Sequence, residues 1–379
     1  MTVVNERGFS QLADESRPVR SIDLRGLSDL PRDHMEELRA LWEALSPARR
    51  VELLREMVEQ AETHVDFNFH AVLRMLLDDA DARVRRLAIE GLWEDEKTSL
   101  IAPLTAMLRG DDAAEVRAAA ATSLGRYVWL GVIEEIAQRH ADAAEAALRE
   151  AWFRPGEVNE VRRRALESLA HTDTDGLSEM IRNAYYDEDD QMRQSAVFAM
   201  GRTGDIRWSR LVIEETDSAD PAMRFEAAQA AGELGLKPAV PLLIRLLDDP
   251  DTIVREAACA ALGKIGGATA RRALEFLRRG EDEALAQAAD DALAELRFIS
   301  DVPEGVDTTS HRAGNVDSDE FDDEADEDDY ADIDYADEFA DGDEYEDEYD
   351  YDAELDWDEN LDDEEEDGEE DAGDDDEDF

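Results

Sequence analysis

Positive charge is what this chain has least of. Lys and Arg number 39 against 100 Asp and Glu, a formal net charge of −61 over 379 residues. Such an excess disfavours DNA, RNA and anionic membranes as direct ligands, because each would be repelled. Cysteine is nearly absent: Cys259 stands alone, so no intramolecular disulfide can form. No apolar run approaches the roughly eighteen residues that span a bilayer. The opening MTVVNERGFSQLADE has neither a basic start nor an apolar centre, so no secretory leader is expected. Together these absences predict a soluble, cytoplasmic chain.

The acids are divided very unevenly. Residues 301–379 hold 43 acids and one base, Arg312, whereas residues 1–300 hold 57 and 38. A segment with a net charge of −42 and few apolar residues cannot bury enough surface to offset its ordering entropy, so 301–379 is expected to be a disordered tail. Rings nevertheless recur within it, among them Tyr345, Tyr349, Tyr351 and Trp357 in DEYEDEYDYDAELDW. A segment serving only to repel has no use for them. Carboxylates alternating with rings suit a segment whose anchors stay exposed for a partner with a basic surface, by mimicking nucleic acid or by several weak contacts acting together. A fold-back over Arg83, Arg85 and Arg86 is the other arrangement this composition allows.

Before that boundary the sequence repeats. In DDPDTIVREAACAALGKIGG the pair Val254-Arg255 recurs as Met223-Arg224 and Met192-Arg193, thirty-one residues apart each time. Earlier copies are Val161-Arg162, Val116-Arg117 and Val84-Arg85, and a degenerate one falls at Leu285-Ala286. With the first residue as zero, position +4 is alanine in all seven copies, from Ala88 to Ala289. Position +8 is apolar throughout and +7 is always Gly, Ser or Ala. Positions 0, +4 and +8 form one stripe on a helix, and small residues at +7 let neighbouring helices approach. A second apolar helix precedes the pair, as in PLLIRLLDD (241–249). Gly125, Gly201, Gly232 and Gly263 near the end of the second helix suggest left-handed caps. Such two-helix units cannot bury their apolar faces alone and must stack.

The pattern D-x-x-V-R-x-x-A-x-x-A-L-G, carried by Asp251, Val254, Arg255, Ala258, Ala261, Leu262 and Gly263, resembles HEAT repeats, specifically the short bacterial repeats of the phycobilisome-lyase type. The resemblance implies an all-α fold: a right-handed α-solenoid of about seven two-helix repeats over 65–300. Residues 1–26 are expected to be a flexible segment and 27–64 a helical cap. One spacing is longer by fourteen residues, Arg117 to Arg162, with the extra length around 125–155. Its rings Tyr127, Trp129, Trp152 and Phe153 are expected to fill added core.

No catalytic constellation emerges. The six histidines are His34, His64, His70, His140, His171 and His311, and none is followed by Glu. The resemblance makes this informative, since the HEAT-repeat enzyme deoxyhypusine hydroxylase holds iron with His-Glu pairs. HVDFNFH (64–70) spaces its ligands too loosely for a zinc signature. Cys259 falls in a column of small hydrophobes, which reads as core. The lyase-type resemblance also implies an alternative, an enzyme or chaperone for a bilin, although a −42 tail would repel the pigment's propionates. No cofactor or metal is expected.

Two side-chain sets remain. Asp81, Asp189, Asp220 and Asp251 lie four residues before Arg85, Arg193, Arg224 and Arg255, the arrangement of a structural ladder between turns and helices. Phe198 and Phe225, with Arg163 nearby, stand in adjacent repeats on a normally polar helix face, the composition of a protein-binding surface. The sequence therefore predicts a non-enzymatic interaction scaffold for a protein partner, without direct nucleic-acid or membrane contact.

Overall fold

Seven copies of one buried stripe organise the helices. In the computed structural model, which describes residues 11–301 apart from 65, 173 and 281, every residue at positions 0, +4 and +8 of the repeat is buried. The seven alanines at +4 are wholly inaccessible. The described residues are helical, with no strand among them.

Three helices come first: α1 (Ser21–Leu24), α2 (Met35–Ala44) and α3 (Pro47–Thr63). Ser46 caps α3 by accepting the Arg49 N–H, and Pro47 occupies the first turn, where its missing N–H costs nothing. Seven pairs of helices then follow, the first member of each called A and the second B. They are α4 (His70–Leu76) with α5 (Ala82–Gly91), α6 (Ile101–Gly110) with α7 (Ala114–Val132), and α8 (Gln138–Phe153) with α9 (Asn159–Leu169). The remaining pairs are α10 (Leu177–Tyr185) with α11 (Asp190–Thr203), α12 (Ser209–Glu215) with α13 (Pro221–Glu233), α14 (Val240–Leu246) with α15 (Thr252–Ile265), and α16 (Ala268–Leu277) with α17 (Glu283–Asp301). This is an α-solenoid of seven two-helix repeats.

Two sequence expectations need correction. Residues 11–26 are not a loose segment. Leu12 and Leu24 are buried, and Arg49 donates to the Leu12 carbonyl at 2.9 Å and the Arg17 carbonyl at 3.0 Å. The anchoring guanidinium comes from α3, so local periodicity carried no sign of it. The glycines at the ends of the B helices are not left-handed caps either. Positive φ belongs to Gly204, Gly235 and Gly266, three residues further on. Gly201, Gly232 and Gly263 are helical instead, and their missing side chains admit the neighbouring B helix. A Cβ on Gly201 would lie 2.7 Å from Cα of Ala230, on Gly232 2.9 Å from Cα of Ala261, and on Gly263 2.9 Å from Cβ of Ala292. Ser168 stands against Gly125 in the same way. Each glycine at +9 thus meets the small residue at +7 of the next copy.

The fourteen-residue insertion lengthens α7 and α8 to 19 and 16 residues. Tyr127 and Trp152 are buried in it as expected, while Trp129 and Phe153 remain exposed. The extension adds core to one side only. Of the expected disordered tail 301–379, Asp301 ends α17, and residues 302–379, like residues 1–10 of the N-terminal segment, lie outside the described residues.

The glycine contact yields a direct test. Gly232→Ala should cost about 1–3 kcal/mol, because the new methyl meets backbone that cannot turn aside. Gly110→Ala, where nothing lies within 4 Å of the added methyl, should be neutral or slightly stabilising. Equilibrium urea unfolding of both variants decides; equal stabilities would refute the close-approach account.

Candidate functional site

The turns between A and B helices consume much of the solenoid's charge. Asp251 caps α15 by accepting the Ile253 N–H at 2.9 Å, and Asp81, Asp189 and Asp220 cap α5, α11 and α13 alike. These aspartates are not the main partners of the arginines four residues on. Arg224 instead makes a two-pronged contact with Asp249, 2.7 and 2.9 Å, across the repeat boundary, and Arg85 does the same with Asp111 at 2.7 Å. Arg117 holds Glu157 similarly. Asp249 also accepts the Asp251 N–H, while Arg255 closes the same turn on the Asp249 carbonyl at 2.9 Å. Arg193 makes only longer contacts, 3.4 Å to Asp190 and 3.9 Å to Glu215. One carboxylate therefore ties its own turn to the preceding B helix. The Arg224 guanidinium holds the Asp249 carboxyl below the usual carboxylate range, and Arg85 acts likewise on Asp111, where burial opposes it.

On the B-helix ridge the arrangement differs from the predicted one. Arg163 is buried and spent: it donates to Ser195 Oγ at 2.9 Å, Glu160 at 2.8 Å and Gln191 at 3.0 Å. It positions α9 against α11 and is not a free anchor. Phe198 and Phe225 are half-buried, Phe225 packed on the core and Phe198 covered by the Arg202 guanidinium at 5.2 Å. Arg202 in turn lies 3.5 Å from Glu233, which Lys264 contacts at 2.6 Å. His171 touches the Trp129 ring, with centroids 5.2 Å apart, and burial lowers its pKa, aided by Arg202. Tyr345, Tyr349, Tyr351 and Trp357 lie outside the described residues.

Glu226, on α13, is the group that sequence reasoning missed. Its column at +3 reads Leu87, Ala119, Arg164, Ser195, Glu226, Ala257, Ala288, so an acid there was a visible anomaly. The side chain is half-buried and finds no hydrogen-bond or ion-pair partner among the described residues. Burial, reinforced by the charge of Glu167, pushes its carboxyl up to about 7, against the opposing pull of Arg163 and Arg202. Glu167 itself is fully engaged, accepting from Ser195 at 2.6 Å and Arg164 at 2.8 Å.

Other candidate groups have structural placements. Cys259 is buried, and burial pushes its thiol up to about 12, the behaviour of a core side chain. His70 lies 3.8 Å from Asp95, and His64 contacts Thr63 and Phe67. Among the described residues no three His, Cys, Asp or Glu side chains gather as a metal site, and no helix is long and apolar enough to cross a membrane.

Residues 70–151 and 209–294 match the family model described as HEAT repeats. HEAT repeats are detected in both of these segments. Among solved structures, YibA of Escherichia coli is 17% identical, with 65% of this chain and 95% of that one covered and a TM-score of 0.39. Human deoxyhypusine hydroxylase in complex with glycerol is 18% identical over 77% of this chain and 95% of that one, TM-score 0.31. A designed armadillo repeat protein in complex with the peptide (KR)4 is 19% identical over 51% and 98%, TM-score 0.35. No curated protein matches the sequence.

Two carboxylates with opposite shifts give opposite pH signatures. Asp249, depressed by Arg224, contributes stability above the unfolded aspartate pKa that disappears as pH falls through its lower folded value. Arg224→Met should therefore cost about 2–3 kcal/mol at pH 7 and progressively less in acid. Glu226, raised in the fold, costs stability as pH climbs from the unfolded glutamate value toward 7. Glu226→Gln should stabilise by at most about 3 kcal/mol above pH 7 and by little near pH 4. Urea titrations across this range test both signs.

Proposed function

We propose that this HEAT-repeat chain is a non-catalytic, cytoplasmic scaffold that recruits a protein partner through a basic surface on that partner. The observation that carries this reading is the division of charge. A helical stack whose core closes by residue 296 is followed by 79 residues with 43 acids, and rings recur among them. Nothing in the buried stripe requires those rings, which leaves them available to an outside surface. The fold supports the same reading, since stacked repeats present long continuous faces. The acids and arginines of the solenoid that could serve chemistry are largely occupied in capping turns and joining repeats, which favours binding over catalysis.

Affinity capture from lysate at low salt tests the proposal, comparing the full chain with one ending at Asp301. Basic proteins should be recovered by the full chain and lost by the shorter one, and the full chain should release them as salt rises through about 0.1–0.5 M. Identical recovery by both chains would remove the tail from the mechanism.

A further inference from the structure

The B-helix ridge changes sign along the stack. At positions +2, +6 and +10 the first four copies present Arg86, Arg126, Arg163 and Arg202 against Glu90, Glu94 and Glu167. The last three present Glu233, Glu256, Asp291 and Glu295 against Lys264. The cations of the first half have partners within the fold: Arg86 holds Glu90, Arg126 holds the carbonyls of Leu92 and Asp95, and Arg163 is buried. In the second half Glu256 and Glu295 are exposed, and no partner for either is found among the described residues. Phe198 and Phe225 stand at the border between the halves, and Glu226 stands with them.

We propose that the ridge of α13, α15 and α17 docks a basic segment of a partner protein, and that Glu226 receives one of its Lys or Arg side chains beside the Phe198 and Phe225 rings. This rests on the recruitment reading above and gives it a second, separate surface. Charge complementarity selects the occupant. The free acids call for cations, and a half-buried carboxylate without a partner gains most from a donor brought to it. The Phe198 ring already accepts a guanidinium from Arg202, so its face suits a cation. An acidic segment would meet uncompensated repulsion here, and an uncharged one would leave Glu226 as it is.

Glu226 also gives the docking a pH dependence. The charged groups facing it are Glu167 and Arg163 from α9 and Arg202 from α11, while α15 contributes none among the described residues. An incoming cation binds the ionised form and displaces the proton that the carboxyl carries below about pH 7. Binding to the ridge should therefore strengthen between pH 6 and 8.

Photo-crosslinking separates the ridge from the acidic C-terminal residues. An oligoarginine peptide of about eight residues bearing one benzophenone side chain is irradiated with the full chain at about 0.15 M salt, and adducts are mapped by mass spectrometry. Adducts are expected on α13, α15 and α17, those on α13 rising about five- to tenfold from pH 6 to pH 8 as Glu226 ionises. Glu226→Gln should lower ridge adducts about fivefold at pH 8 and flatten their pH profile, with adducts on 301–379 unchanged. Glu256→Gln, at an exposed position, should also lower them and guards against a packing effect of the first variant. Ridge adducts that are absent, or that persist undiminished in both variants, would overturn the proposal. If they are absent while adducts on 301–379 remain, the recruitment reading survives alone. Ridge adducts without any on 301–379 would support this inference and count against the tail.

Discussion

The contact on which the rest of the solenoid depends is the approach of successive B helices at the +9 glycine. A hydrogen at Gly201, Gly232 and Gly263 lets Ala230, Ala261 and Ala292 reach backbone, where any side chain would hold the helices apart. The consequence is a stack in which the 0, +4 and +8 stripes of consecutive copies merge into one core. It also crowds the ridge. Side chains at +3 and +6 on three helices come close enough for Glu167 on α9 to act on Glu226 on α13, two helices away. The small residues in the core and the raised proton affinity of Glu226 are therefore two results of one spacing.

Charge in this chain follows hydrogen-bond supply. Asp249 is a buried carboxylate and Glu226 a half-buried one, yet their proton affinities move in opposite directions. Asp249 receives the Arg224 guanidinium and the Asp251 N–H, so its ionised form is held. Glu226 receives no donor, and the nearest acid adds repulsion. A turn offers free N–H groups at each helix start, whereas the middle of a helix offers none. That difference explains why the acids of the turns are structural and why an acid at +3 is left over.

The core was legible because it repeats: an alanine in the same place seven times admits one explanation, and each of the seven is buried. What failed to show was everything that depends on which neighbour a residue meets. Gly232 looks the same in sequence whether it turns a helix end or admits Ala261. Arg224 sits four residues from Asp220 along the chain, yet its partner Asp249 belongs to the next repeat. Arg163 looked free beside two rings, but Ser195 and Gln191, a full repeat away, bury it. Leu12 is fixed by Arg49, thirty-seven residues on. Glu226 is the one miss that the alignment of copies could have caught, since an acid broke an otherwise small or apolar run of neighbours after Ser195.

The insertion shows the same rule from the other direction. Fourteen extra residues are close to four helical turns, so the register of the stripe survives when they are shared between two helices. Sharing is required, because α7 and α8 pack antiparallel and a longer α7 alone would leave its added apolar face without cover. Tyr127 meets the loop below it through the Asp95 carbonyl at 2.8 Å, and the Arg162 guanidinium covers Trp152 at 4.7 Å. Both rings are buried. Trp129 and Phe153 face outward, and Trp129 reaches His171 at the end of the next B helix. The thickened stretch therefore lies within the cationic half of the ridge, two repeats before the border at Phe198 and Phe225, and its exposed indole sits against His171 at the end of α9.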